Sequence, residues 1–264
     1  MDASMKNPVT SIMARPAATV ILMRDRGGIE VLMAHRNDRG MFANAVVFPG
    51  GMLEESDRDA AWLADMKPHA HLDEMARALR IAAARELWEE TRIVLGETGC
   101  RPRAQDIPSS QCAFQLTLRN RGMQLDPEQL IRISHWITPQ GPPKRYDTHF
   151  FLAALKDAQE AVADGLEIVG LEWARPAELL ERDRQEQLDL LLATRANLEL
   201  LSTYSTPDAA IAGVKSLPIR PITPYVQTVG ETSYVTIPEG TPFGNVRVPL
   251  HRIQRRRRTR PQPS

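Results

Sequence analysis

Three glutamates crowded onto one stretch of helix constrain this chain more than any other feature. Glu86, Glu89 and Glu90 stand at i, i+3 and i+4, a spacing that brings their side chains onto one helix face. Like charges so placed destabilise an isolated helix by roughly 0.2–0.5 kcal/mol per pair. No lysine lies within a turn of all three, and Arg85 is the nearby base. Left in water, such a face is an ordinary solvated surface. A hard divalent cation would instead relieve the repulsion, because magnesium takes oxygen ligands and joins carboxylates to substrate phosphates.

The surroundings of this helix follow from periodicity. Ala18 to Arg24 and Ile29 to His35 are β-rich runs joined at Arg26-Gly27-Gly28, which predicts a hairpin. Ala45 to Phe48 predicts a third strand, stopped by Pro49-Gly50-Gly51; glycines there let the backbone come close to a ligand, so that a carbonyl can reach a metal. Arg58 to Met66 predicts a helix ended by Lys67-Pro68. A second starts at an Asp73 N-cap and runs to about Leu95, before Gly96. On it Ile81, Ala84, Leu87 and Trp88 share one side, which predicts packing on the sheet. Ser109 to Arg119 fits helix or strand. Ile131 to Ile137, Thr148 to Leu155 and Ile168 to Trp173 predict strands, and Pro176 to Glu181 and Gln185 to Leu201 helices. Beyond about Ser216, prolines at 218, 221, 224, 238, 242 and 249 punctuate short β-like pieces. They suggest an extended segment wrapping the main domain.

The ordered motifs resemble the Nudix family. Its signature is a glycine, five residues, Glu, seven residues, then Arg-Glu, an aliphatic residue, any residue, Glu-Glu, any residue, Gly and an aliphatic residue. Gly51 matches the first glycine. Arg85, Glu86, Leu87, Glu89 and Glu90 match the central block, and Ile93 the last aliphatic. There are three departures. Asp57 stands in place of the first Glu, an insertion separates it from Arg85, and Arg92 replaces the final glycine. With no glycine to turn the chain, the helix is expected to continue past Arg92. The insertion resembles that of the acyl-CoA diphosphatase-like subfamily, as do Arg15-Pro16-Ala17-Ala18-Thr19-Val20, His135-Trp136-Ile137-Thr138-Pro139, Arg145-Tyr146-Asp147-Thr148-His149-Phe150-Phe151 and Glu172-Trp173-Ala174-Arg175-Pro176.

That resemblance implies a Nudix fold: an α/β/α sandwich with a mixed β-sheet and an inserted helix within the box. It divides the chain into a flexible start (1–14), the hydrolase domain (15–205), an extension (206–250) and a basic disordered tail (251–264) carrying Arg255 to Arg258 and Arg260. It implies Mg²⁺ or Mn²⁺ held by Glu86, Glu89, Glu90 and the Gly51 carbonyl, with Arg85, Glu86 and Glu89 serving catalysis and Arg85 orienting the glutamates. The base is Glu86 itself or a loop carboxylate, with Glu167 and Glu172 as candidates. Arg36 and Arg145, with Arg39 and Lys144, are placed to meet substrate phosphates. The implied reaction is hydrolysis of a diphosphate linkage. Coenzyme A or an acyl-CoA is the first expectation; ADP-ribose, NADH and a non-catalytic sensor module are the alternatives.

Bulk properties narrow the field further. The 264 residues are 42% hydrophobic and 25% charged, ordinary for a globular chain. A formal net charge of zero provides no global field for nucleic acid or acidic membranes. The apolar run Ala17 to Met23 is too short to span a bilayer. Cys100 and Cys112 suit a reducing compartment, so a cytoplasmic location is expected. The expected partner is a small nucleotide-type substrate, with homodimerisation left open. His69, His71 and Asp73 read as a polar linker rather than a zinc site.

Overall fold

The computed structural model describes residues 12–38, 45–98 and 113–253. The basic tail from residue 254, Arg39, both cysteines and most of the flexible start therefore lie outside the described residues, while residues 251–253, expected to be disordered, are helical. Continuous apolar runs, Val20 to Met23 and Val31 to Ala34, buried from both faces, build the two opening strands, β1 (Arg15–Asp25) and β2 (Ile29–Arg36), paired antiparallel. Asp25 fastens their turn by accepting from the Gly27 and Gly28 amides. The short strands β3 (Val46–Val47) and β4 (Gly50–Met52) follow. The helix α1 (Glu74–Thr91) comes next, then β5 (Glu97–Thr98), α2 (Ala113–Asn120), β6 (Met123–Gln124), β7 (Ile131–Ile137), β8 (Tyr146–Ala154) and β9 (Ile168–Ala174). The chain closes with α3 (Pro176–Arg184), α4 (Leu192–Leu201), α5 (Pro207–Lys215), β10 (Pro221–Ile222), β11 (Tyr225–Val229), β12 (Thr232–Thr236) and β13 (Arg247–Pro249).

An 8-stranded sheet in the order β10-β7-β8-β1-β2-β3 carries the structure, with β4 added to β1 and β9 to β2. β1 runs parallel to β8 and antiparallel to β2, so the sheet is mixed. Side chains alternate across it. Ile21 and Met23 enter one apolar cluster, closed by Leu179, Leu198 and Val214 of α3, α4 and α5. Ala18, Val20 and Leu22 enter another, closed by Ile81, Ala84 and Leu87 of α1 and by Phe114 and Leu118 of α2. The result is the expected α/β/α sandwich. Each fully buried Leu or Ile contributes about 1.5–3 kcal/mol. Trp88 is half-buried and stacks on Phe114 with ring centroids 5.8 Å apart. Ile222, Ile237, Phe243 and Val246 from the C-terminal region reach into the first cluster, and Arg252 bonds Asp183 Oδ1 and Asp189 Oδ1 at 2.9 Å each.

Several expectations need correction. The predicted helix from Arg58 to Met66 is instead a pair of 3₁₀ turns, Glu55–Arg58 and Ala60–Ala64. Asp59 separates them: its backbone is extended and its side chain accepts from the Ala61 amide at 2.8 Å, a local bond that competes with helix. The predicted helix from Gln185 begins only at Leu192, because Glu186 takes a φ of 56° and the Leu190 amide donates to Asp183 Oδ1 at 3.0 Å. Of Ser109 to Arg119, the part from Ala113 is helical and Ser109–Cys112 lie outside the described residues. The C-terminal extension opens with α5, capped by Thr206 accepting from the Ala209 amide at 3.2 Å, ahead of the proline-punctuated stretch that starts near Ser216.

The helix α1 begins at its Asp73 cap, which accepts from the Ala76 amide at 2.7 Å. It does not continue past Arg92. That residue turns left-handed, with φ 62°, although left-handed backbone costs an L-residue roughly 1–2 kcal/mol. Two contacts hold it: its amide donates to Trp88 O at 2.8 Å, and its guanidinium lies 5.3 Å from the Trp88 ring centroid. The next three residues, Ile93, Val94 and Leu95, are all buried. A straight helix would turn some of them to water, so their burial enforces the stop. Arg92→Gly, which frees the backbone but removes the ring contact, is expected to stay within about 1 kcal/mol of wild type in urea unfolding. Arg92→Val should destabilise by about 1–2 kcal/mol, since a β-branched residue resists this conformation most.

Candidate active site

Arg85 orders the acidic face of α1. Its side chain is 2% exposed. Nε and Nη2 donate to Asp57 Oδ1 and Oδ2 at 2.9 Å each. Nη1 donates to Glu86 Oε1 at 2.9 Å and Glu89 Oε2 at 3.0 Å, and Nη2 also reaches Met52 O at 3.0 Å. Asp57, fully buried, accepts in addition from the Glu54 amide at 2.8 Å. A buried guanidinium needs this satisfaction, because removing one partner of such a pair typically costs 3–5 kcal/mol. Burial opposes the Arg85 charge. The hydrogen bonds that Arg85 donates to Asp57 and the charges of Glu86, Asp57 and Glu89 more than offset it, so Arg85 holds its proton more tightly than a free arginine.

The strand β4 meets this face edge-on. A β-carbon on Gly51 would lie 2.3 Å from the Glu86 carboxylate carbon, so only glycine lets the two touch without displacement. The Gly50 amide donates to Glu90 Oε2 at 3.0 Å. Burial pushes Glu86 up to about 7, against the charge and hydrogen bond of Arg85. Burial likewise pushes Glu90 up to about 8, with the Gly50 amide opposing the rise and the Glu86 charge adding to it. The protein's own cations thus leave the face short of positive charge. An all-oxygen donor set in that condition fits a hard divalent ion such as Mg²⁺ or Mn²⁺.

A second ion pair borders the face. Arg36 Nη2 donates to Glu167 Oε1, and both charges act on Glu90. A bulge between His35 and Arg36 shifts the register of β2 against β9, re-aiming this end of the strand. The structure therefore gathers Gly51, Arg85, Glu86, Glu89 and Glu90, with Arg36 and Glu167 at their margin. The other predicted residues are anchored elsewhere. Glu172 bonds His35 Nε2 and Arg182 Nη1, each at 2.9 Å. Arg145 donates to Thr138 O at 2.9 Å and to Ile12 O. The residue that sequence reasoning missed is Asp57, read only as a departure from a pattern. Its signal was position, since an acid six residues after Gly51 keeps the charge that Arg85 needs.

A family model described as NUDIX domain matches residues 13–193. Acyl-coenzyme A diphosphatase NUDT19 of Gallus gallus is 28% identical over 216 residues, covering 60% of this chain and 57% of that protein. Its Homo sapiens namesake is 28% identical over 212 residues, covering 58% and 55%. The chain thus spans just over half the length of these curated relatives. A solved NUDIX hydrolase from Alicyclobacillus acidocaldarius aligns with a TM-score of 0.66 at 29% identity, over 78% of this chain and 99% of that one. Among the described residues, no helix is long and apolar enough to cross a membrane.

Two outcomes follow from this geometry. Gly51→Ala should move the Glu86 carboxylate aside and lower turnover about a hundredfold, as a misplacement near 1 Å typically does, with an unchanged far-UV circular dichroism spectrum; wild-type turnover would refute the contact's importance. The second concerns pH. Glu86 and Glu90 titrate near 7 and 8 when folded and nearer 4.3 when unfolded. The folded state therefore keeps protons that the unfolded state releases, a stabilising contribution present at low pH and lost as pH rises through both values. In EDTA, Tm should fall between pH 6.5 and 8.5, and fall less in Glu90→Gln. Added Mg²⁺ should raise Tm more at pH 8.5 than at pH 6.5.

Proposed function

This chain belongs to the Nudix family, and on that footing we propose that it is a divalent-metal-dependent pyrophosphohydrolase acting on coenzyme A or an acyl-CoA. The single observation carrying the hydrolase reading is the buried Asp57–Arg85 pair holding Glu86 and Glu89, beside a glycine strand that touches Glu86 and Glu90. Glu86, Glu89, Glu90 and the Gly51 carbonyl would hold the metal. When bound, that ion neutralises charge on the diphosphate and eases deprotonation of the attacking water.

The chain's own residues do the rest. Arg85, fixed on Asp57, keeps two carboxylates from swinging away from one another. The Gly50 amide aims Glu90. Arg36, half-buried beside Glu90, presents a planar cation to a phosphate oxygen. Glu167 takes the role of base, because it stands next to that arginine within reach of the acidic face, whereas Glu172 is committed to His35 and Arg182. Water adds across the diphosphate and one proton passes to Glu167, leaving phosphopantetheine, or its acylated form, and adenosine 3′,5′-bisphosphate. The substrate choice is supported by the diphosphatases named above and by the inserted segment between Gly51 and Arg85.

The test is chromatographic product analysis with Mg²⁺ or Mn²⁺ across coenzyme A, short acyl-CoAs, ADP-ribose, NADH and dinucleoside polyphosphates. Release of adenosine 3′,5′-bisphosphate from a CoA species as the preferred reaction is expected. Preferred cleavage of ADP-ribose or NADH would overturn the substrate and leave the hydrolase; no cleavage of any compound would favour a binding module. Glu89→Gln and Glu90→Gln should each lower turnover by about a hundredfold or more while unfolding near the wild-type temperature.

A further inference from the structure

Two segments, His135 to Pro139 and Arg145 to Phe151, stand apart from the acidic site. Sheet register brings them together. Ala18 of β1 stands opposite Gly51 on one side and His149 on the other, and His149 stands opposite His135. Residues in register share a face, and Ala18 faces α1. Gly51, Ala18, His149 and His135 thus form one row across the sheet beneath that helix. Two strand spacings, about 10 Å in all, separate Gly51 at the acidic site from His149.

Around His149 the surface is rich in cations. The His135 and His149 rings stack with centroids 4.1 Å apart. His135 Nε2 bonds Asp147 Oδ1, and His149 Nε2 lies 3.5 Å from the same oxygen. Arg132, opposite Phe151 in the β7–β8 pairing, and Arg80 of α1, 5.2 Å from the Phe151 ring centroid, complete the group. Burial, and then the charges of His135 and Arg132, hold His149 down at about 4, with Asp147 only partly opposing them and Arg80 adding to the effect. Burial lowers the affinity of Arg132 for its proton, and of Arg80 likewise. Two buried nitrogens in this group, Arg132 Nε and His149 Nδ1, have no hydrogen-bond partner.

Two histidines and an aspartate with ligand atoms within 4.8 Å of one another are also a set that a transition metal accepts. The surroundings argue against that occupant. A metal-bound histidine ordinarily passes its other ring N–H to an acceptor, and His149 Nδ1 has none. Two nearby guanidiniums repel any added cation and attract an anion.

We propose that Arg80, Arg132, His135 and His149, steadied by Asp147, form a second anion subsite that takes a phosphate monoester on the nucleotide end of the substrate. Both groups lie on one face of the sheet, as a ligand carrying a diphosphate and a separate phosphate monoester requires. This deepens the coenzyme A reading and rests on it for the identity of the substrate, because coenzyme A carries such a phosphate and ADP-ribose and NADH do not.

Calorimetric binding of adenosine 3′,5′-bisphosphate and of adenosine 5′-monophosphate to the full chain tests it. Wild type should prefer the bisphosphate by about tenfold or more, the range of one charge-assisted hydrogen bond. Arg132→Gln and His149→Gln should each bring the two affinities together, and Arg132→Lys should keep most of the preference, which separates charge from folding. Equal binding of the two nucleotides by wild type, absence of binding, or an undiminished preference in Arg132→Gln would overturn the subsite. Stoichiometric Zn²⁺ binding that disappears in His149→Gln would overturn it in favour of a cation site. Preferred hydrolysis of ADP-ribose with the bisphosphate preference intact would remove the coenzyme A reading and leave the subsite standing.

Discussion

The whole arrangement depends on one buried guanidinium. Arg85 sits where water cannot reach it, and its five N–H donors form a rigid fork. Asp57 takes one edge of that fork and the α1 glutamates share another. The turn just before the inserted stretch is therefore part of the site: the 3₁₀ turn Glu55–Arg58 delivers Asp57 to Arg85 of α1. Asp57 contributes the countercharge that lets Arg85 stay in the core while Glu86 and Glu89 remain available on its outer side. An aspartate in place of the longer glutamate shortens the reach, and the tight turn at Glu54 to Arg58, closed by the Glu54 amide on Asp57, brings the backbone near enough to make up the difference.

Much of this was legible in the residues. The opening hairpin followed from two β-rich runs and a glycine turn. The long helix followed from an aspartate cap and apolar spacing, and the glutamate face from i, i+3, i+4 geometry. What escaped was decided by tertiary structure. Three consecutive buried residues after Arg92 override the absence of glycine and stop the helix. Asp59 and Asp183 use side-chain bonds to redirect backbone that local propensity would have left helical. The His135–Asp147–His149 group could not be read from spacing, because its members come together only through β7–β8 pairing. The role of Asp57 was hidden for a different reason: a pattern comparison records a mismatch, whereas the packed structure shows charge and burial preserved.

The two polar groups beneath α1 also differ in electrostatic kind. At one end buried carboxylates outnumber the cations that face them; at the other, the guanidiniums of Arg80 and Arg132 outnumber a single aspartate. Both excesses lie on the same face of one sheet, opposite in sign. With a divalent ion held among the glutamates, the pair would orient a long anionic ligand that carries phosphates at both ends.

Because the row Gly51, Ala18, His149 and His135 is set by hydrogen-bonded register, the sheet works as a ruler graduated in strand pitch. The separation of the two poles cannot drift continuously; it changes by about 4.8 Å when a contact moves to the next strand. Fine adjustment falls to side-chain length alone. Related chains that share this scaffold are thus expected to differ in steps, taking ligands whose charged groups are one graduation closer or farther, rather than spanning a smooth range of sizes.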